Sequence, residues 1–345
     1  MNIFQFLGKG VFHEDHGMEC QDRLLIRRVS ERKHIFAISD GCSSSAYAKE
    51  AAQRNVDTIE TIFTQLNINE LSAGSLATVF PKLGQKLLSL DDIGECFRVI
   101  FRSQMVKLAR QMHIQNPKLE DFCATLVFLV QEEEKTLIGH IGDGVLICYN
   151  AQGVATYISN PENGQDSSHT YFTLSDDFSS RFHYEVIPTD TYESCVLFSD
   201  GPQKMFYYEG GGVVEQGVRD EIIIPMIMGK IQTNQDFQNK LQELISHAMH
   251  YIFDDWSIIV AQKGQGAEID EKPLSLKSIF NKQNECDESS LEKVNLPAQA
   301  EKNHENSNAQ QDAHTKDAFT VPVNIVKANR KQKHKRKYSS PKFFF

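Results

Sequence analysis

Three stretches of this chain share one design: an apolar run that stops at an acid-glycine pair. Ile35-Phe36-Ala37-Ile38 leads into Ser39-Asp40-Gly41. Val196-Leu197-Phe198 leads into Ser199-Asp200-Gly201, and Leu137-Ile138-Gly139-His140-Ile141 into Gly142-Asp143-Gly144. A short apolar run bounded by turn residues reads as a strand covered on both faces. Aspartate at its end can reach into a cleft, and the following glycine lets the backbone turn tightly and bring its carbonyl close. Strands that all end this way suggest carboxylates converging on hard cations, which prefer oxygen ligands. One Asp-Gly alone carries little weight, because a strand-end aspartate is usually a turn former or a helix cap.

The surrounding pattern alternates between strand and helix periods. Leu24-Leu25-Ile26 and residues 35–38 read as two strands joined by the charged turn Ser30-Glu31-Arg32-Lys33. Ser43 to Ser45 suit a helix N-cap. Beyond them Ala48, Ala52, Val56, Ile59, Ile62, Phe63 and Leu66 recur at helical spacing. Residues 67–90 fit no single period. The spacing predicts a second long helix over 97–111, ended by Asn116-Pro117, and a third over 237–252. Residues 124–130, 136–141 and 145–149 read as a strand meander, with further strands at 195–199 and 256–261. The polar residues 151–185 read as a long surface excursion.

Residues 1–263 therefore read as one globular domain, with enough of the chain's 40% hydrophobic residues to build a core. After Lys263 the composition turns polar and loses all period, so residues 264–345 are expected to be a disordered tail. Its end gathers Lys327, Arg330, Lys331, Lys333, Lys335, Arg336, Lys337 and Lys342 without an acid among them. Such a run is a solvated tail or a handle for an acidic partner, a membrane surface or nucleic acid. A net charge of −10 argues against general nucleic-acid binding by the chain as a whole. Seven cysteines without a CxxC pair fit reduced core thiols in a cytosolic protein rather than a zinc site. No signal peptide or membrane-length apolar run is present, so the expected location is cytoplasmic, with signal-independent export left open, and the expected state is monomeric.

Taken in order, Gln21-Asp22, Ser39-Asp40-Gly41, Ala124-Thr125-Leu126, Gly142-Asp143-Gly144, Phe198-Ser199-Asp200-Gly201 and Asp254-Asp255-Trp256-Ser257 resemble the motifs of the metal-dependent protein phosphatases of the phosphatase 2C type, in a bacterial-like branch. The matched segments span about residues 8–261. The resemblance implies an α+β fold, a four-layer α-β-β-α sandwich with two central antiparallel sheets. It implies a metal-dependent serine/threonine protein phosphatase that acts on phosphorylated proteins. Two Mg²⁺ or Mn²⁺ ions, with a possible third, would activate water and clamp the phosphate. By the same resemblance Asp40 bridges the two ions, Asp200 and Asp254 complete the first, and the Gly41 carbonyl serves the second. Asp22 orients water in the outer shell, and Asp143 holds the third ion with Asp200. Asp255 occupies a position that is often Asn or Asp in the family and ranks below Asp254.

The chain also departs from the family pattern. Gln21 stands where many members carry Glu, which leaves the second ion leaning on Gly41 and water. No Arg occurs between Met1 and Asp22 to bind phosphate; His13, His16 and Lys9 are the cations available there. Cys42 stands where eukaryotic members have a histidine proposed as general acid, so a metal-bound water, His13 or His16 would have to protonate the leaving group, with His13 the expected catalytic residue. These departures support a rival of another class: a weak or inactive phosphatase-fold module that binds a phosphoprotein. A metal-dependent nuclease or phosphodiesterase using the basic tail is a further rival, opposed by the acidic globular part.

Overall fold

A computed structural model describes residues 1–162, 170–203, 205–206, 214–246, 252–264 and 274–276, all within the compact unit Met1–Ser290. The strands, in chain order, are β1 (Asn2–Lys9), β2 (Arg23–Ser30), β3 (Lys33–Ser39), β4 (Leu126–Gln131), β5 (Lys135–Ile141), β6 (Val145–Tyr149), β7 (Ala155–Ser159), β8 (His183–Pro188), β9 (Ser194–Phe198), β10 (Trp256–Gln262) and β11 (Leu274–Ser275). They form a six-stranded sheet in the order β11-β1-β10-β9-β6-β7 and a five-stranded sheet in the order β2-β3-β4-β5-β8. All pairings are antiparallel except that of β11 with β1. The expected α+β sandwich with two central sheets is what the chain forms.

Each layer follows from a sequence pattern. β3, β4, β6 and β9 are buried at every residue, as continuous apolar runs require when both faces are covered. Between the sheets Phe36, Ile38, Val127, Leu129, Leu146, Leu197 and Ile259 interdigitate. On the outer face of the five-stranded sheet lie the helix Ala48–Phe63, hereafter the first long helix, and the helix Ile93–Gln111. Their Val56, Ile59, Phe63, Phe97 and Ile100 pack against Ile35, Ala37 and Phe128. On the other sheet Phe237, Leu241 and Ile245 of the helix Asn234–Ser246 cover Phe4, Phe6 and Trp256. Both layers are held mainly by the burial of such side chains, at roughly 1.5–3 kcal/mol for each large one.

Strand β1 was not foreseen in the sequence, and several boundaries differ from the sequence reading. The supposed excursion 151–185 contains β7 and the start of β8, which are edge strands with exposed faces. Both mix polar residues with apolar ones, so neither makes the continuous apolar run that announces a buried strand. The helix predicted from residue 97 begins at Ile93, because Asp92 caps it by accepting a hydrogen bond from the Glu95 amide at 2.8 Å. Beyond the expected domain end at Lys263, Leu274 and Ser275 pair with Gly8 and Lys9, and Leu276 is fully buried in the core. A two-residue strand carries no periodicity, so composition could not reveal it. The basic run 327–342 lies outside the described residues. Among the described residues no helix is long and apolar enough to cross a membrane, and Cys20, Cys42, Cys96, Cys123, Cys148 and Cys195 are free thiols.

Candidate active site

Strand register carries the predicted aspartates to one end of the sandwich. Arg23 faces Ser39 across β2 and β3, so Asp22 and Asp40 sit side by side at the ends of neighbouring strands. Phe198 faces Ile258 on one side and Val145 on the other. Asp200 therefore leaves β9 where Asp254 enters β10 and Asp143 enters β6. The Asp40 turn is fixed from below: the Thr125 amide donates to the Asp40 carbonyl at 2.8 Å, and the Asp40 amide to Thr125 Oγ1 at 3.2 Å. Gly41 bridges to Ala124. A Cβ at Gly41 would lie 2.8 Å from the Ala48 carbonyl, so only glycine allows the first long helix to pack this close.

The cluster is crowded with negative charge. Asp40 lies within hydrogen-bonding reach of both Asp22 and Asp200. Burial, then the charges of Asp22, Asp200, Asp254 and Asp143, hold the Asp40 carboxyl well above the usual carboxylate range. Burial, then Asp254 and Asp143, do the same to Asp200. Asp22 is fully buried; desolvation and the charge of Asp255 push it up to about 7, although Ser257 Oγ donates to its Oδ2 at 2.7 Å. Burial raises Asp143 to about 6. Carboxylates this close must share protons or cations, since like charges in a low dielectric cannot all ionise.

Polar atoms at this end of the sandwich are left unmet. Oδ1 of Asp22, of Asp143 and of Asp200 is buried without a hydrogen-bond partner. A buried, unpaired carboxylate oxygen is costly unless something supplies positive charge. The donor set is oxygen only, which suits Mg²⁺ or Mn²⁺ rather than zinc or copper. Among the described residues no three His, Cys, Asp or Glu side chains close on one point as a ready metal shell. The aspartates meet pairwise around Asp40, an arrangement that protons can satisfy and that a cation would draw together.

Asp255 has a different role from its neighbour. Its Oδ1 accepts the Gly10 amide at 2.7 Å, and its Oδ2 accepts the Gln21 amide at 2.6 Å and meets His13 Nδ1 at 2.8 Å. Burial works against its charge, but these bonds win and hold the Asp255 carboxyl below its ordinary value. With its oxygens so occupied it has little left for an ion. His13 is 1% exposed, and burial of its ring is outweighed by Asp255, which raises its pKa. His16 packs against Phe12 with the rings tilted and their centroids 4.4 Å apart, exposed to solvent. Cys42 is half-buried beside Ser44.

Two groups at this end went unrecognised in the sequence. Asn55, fully buried on the first long helix, donates to Ser39 Oγ at 3.2 Å and to the Thr125 carbonyl at 3.4 Å, and accepts from Thr173 at 3.1 Å. It ties the Asp40 strand end to its neighbours. The signal was available: Asn55 is a polar residue flanked by Ala52, Val56 and Ile59 on the buried face of the helix. The other is His140, 1% exposed beneath the Gly142-Asp143-Gly144 turn, with Nδ1 2.8 Å from Ser159 Oγ.

Burial pushes His140 down to about 4, with the charge of His183 adding to the effect. The folded state thus demands a neutral ring, while the unfolded chain takes up a proton near pH 6.5. Stability from this residue is intact above pH 6.5 and is lost as pH falls towards 4, by about 3 kcal/mol in all. Urea unfolding at pH 7.5 and pH 4.5 should show a smaller acid loss in His140→Asn than in the parent. An identical loss in both proteins would rule this out.

A sequence model described as protein phosphatase 2C matches residues 9–248. No curated protein matches the chain. Among solved structures, a variant of a bacterial serine phosphatase is 13% identical, covers 78% of this chain and 100% of its own, and superposes with a TM-score of 0.50. The catalytic domain of the serine/threonine protein phosphatase PstP, solved in complex with two manganese ions, is 13% identical, with coverage of 76% and 97% and a TM-score of 0.47. The serine/threonine phosphatase Stp1 from Staphylococcus aureus is 13% identical, with coverage of 76% and 95% and a TM-score of 0.44. At these identities the likeness concerns the fold alone.

Proposed function

The chain belongs to the protein phosphatase 2C family, and on that premise we propose that it hydrolyses phosphoserine and phosphothreonine in proteins with the help of two Mg²⁺ or Mn²⁺ ions. The observation that carries this reading is Asp40 within hydrogen-bonding reach of Asp22 and Asp200, in a cluster with three buried, unpartnered carboxylate oxygens. Asp40, Asp200, Asp254 and the Gly41 carbonyl would hold the two ions, and Asp143 with Asp200 a third. Bound there, such ions supply a water made nucleophilic at neutral pH and positive charge for the phosphoryl oxygens.

The chain's own residues do the placing. Asp40 is pinned at the strand end by Thr125 and, one step further out, by Asn55. Asp22, its Oδ2 held by Ser257, keeps a buried Oδ1 without a hydrogen-bond partner, an acceptor that would orient water. Gln21, where an acid is common, keeps an unpartnered, buried Oε1, so a neutral oxygen remains at that position. We place the protein in the cytoplasm, with a phosphorylated protein as substrate.

Release of phosphate from a phosphothreonine peptide and from p-nitrophenyl phosphate tests the reading, with Mn²⁺ and with chelator. Turnover with Mn²⁺ that chelator abolishes is the expected result. Tight phosphopeptide binding without turnover at any Mn²⁺ concentration would instead select the binding-module reading, which Gln21 and the lack of an upstream arginine favour.

A further inference from the structure

His13 sits where three ligand-bearing segments meet. The lead-in from Gly10 to Asp22 is closed at both ends by one carboxylate: Asp255 accepts the Gly10 amide and the Gln21 amide. Asp255 itself belongs to the turn that carries Asp254. That turn is fixed to the lead-in a second time, through Val11 and Phe12 amides on the Ile252 and Phe253 carbonyls at 2.9 and 3.0 Å. Gly10 passes so close that a Cβ there would lie 2.3 Å from the Asp254 carbonyl carbon. The third segment is the turn after Gly41, where Ser43 Oγ lies 3.4 Å from His13 Nε2.

The imidazole thus has one nitrogen on the Asp254–Asp255 turn and the other on the Gly41–Ser43 turn, while its own backbone lies in the lead-in that ends at Asp22. It is 1% exposed. A ring with Nδ1 at 2.8 Å from Asp255, Nε2 at 3.4 Å from Ser43 Oγ and almost no exposure is poorly placed to meet a phosphate or a leaving group. It is well placed to fix the spacing of groups that must converge.

We infer that His13 is a positioning residue, a buckle between Asp255 and Ser43 that holds the Asp22, Gly41 and Asp254 segments at the spacing divalent cations need. This replaces the catalytic role expected from the sequence, and it rests on the proposed metal-dependent reading of the same site. Groups bonded directly to a metal ligand typically govern affinity by 10- to 100-fold when removed; His13 reaches the ligand-bearing segments one step further out, through Asp255 and Ser43, so the low end of that range is expected.

Binding of Mn²⁺ to the full chain, followed by titration calorimetry, is the direct readout. His13→Ala should weaken it by about tenfold, the low end of the range for direct partners of a ligand. His13→Asn should recover most of the loss, because the asparagine amide nitrogen stands where Nδ1 stands and can donate to Asp255. The ratio of kcat on p-nitrophenyl phosphate to kcat on phenyl phosphate should be the same in parent and variants, since a buckle does not sense leaving-group basicity. Unchanged Mn²⁺ affinity in His13→Ala overturns the proposal. So does a selective loss on phenyl phosphate, the mark of a general acid. Should His13→Ala fail to fold, His13→Gln carries the test: it reaches towards Ser43 but forfeits the Asp255 bond, and parental affinity there refutes the buckle. A parent inactive on every phosphomonoester, with Mn²⁺ affinity still lost in His13→Ala, would refute the hydrolase and leave the buckle standing.

Discussion

Asp40→Asn is expected to lower metal-dependent phosphate release by about a thousandfold or more, the equivalent of about 4 kcal/mol of transition-state stabilisation. The substitution keeps the volume of the side chain and its hydrogen bonds to Thr125 run through the main chain, so the strand end should stay in place. What it removes is the central charge of the cluster, the one carboxylate within hydrogen-bonding reach of both Asp22 and Asp200. Asp200→Asn should behave alike. Asp190→Asn is the control: Asp190 is exposed at the opposite end of the five-stranded sheet, beyond β8, and its loss should leave turnover within about twofold. The measurement is kcat/KM on p-nitrophenyl phosphate across a Mn²⁺ titration. Residual activity in Asp40→Asn within tenfold of the parent would separate this aspartate from the chemistry.

The aspartates were legible because their signal is local and repeated. Asp40, Asp143 and Asp200 each end an apolar run, and antiparallel register then does the rest: neighbouring strand ends must share an edge of the sheet. Asp22 and Asp254 lack such a run and were placed only through resemblance to the family. The buried roles of His13 and Asp255 were not legible at all. They depend on a contact between residues more than 240 positions apart, and nothing in the run Val11-Phe12-His13-Glu14-Asp15 separates a buried imidazole from an exposed one. Asn55 was legible in principle, as a polar interruption of an apolar helix face. β1, β7, β8 and β11 were missed, the last three because edge strands are half polar or too short to show a period.

The same crowding that suits cations should make the metal-free protein less stable than it can be, and Asp22 offers the cleanest view. Its carboxyl is fully buried and is raised to about 7, by desolvation first and by Asp255 second. A carboxyl with a raised folded pKa favours folding fully only below its unfolded value near 3.8. That contribution fades as pH rises and is gone above about 7. At pH 8, in chelator, keeping Asp22 ionised therefore costs on the order of 4 kcal/mol at most. Asp22→Asn removes the charge, and its side-chain oxygen can still accept from Ser257 Oγ. In chelator at pH 8 the variant should melt higher than the parent, by up to roughly 10 °C. At pH 5 the gain should shrink to less than half. Saturating Mn²⁺ should close the gap from the other side, raising the parent far more than the variant, because a ligand that binds only the native state stabilises it in proportion to its affinity. A parent that melts at or above Asp22→Asn in chelator at pH 8 would mean that the cluster is relaxed without cations, and the buried, unpartnered oxygens would then need another explanation.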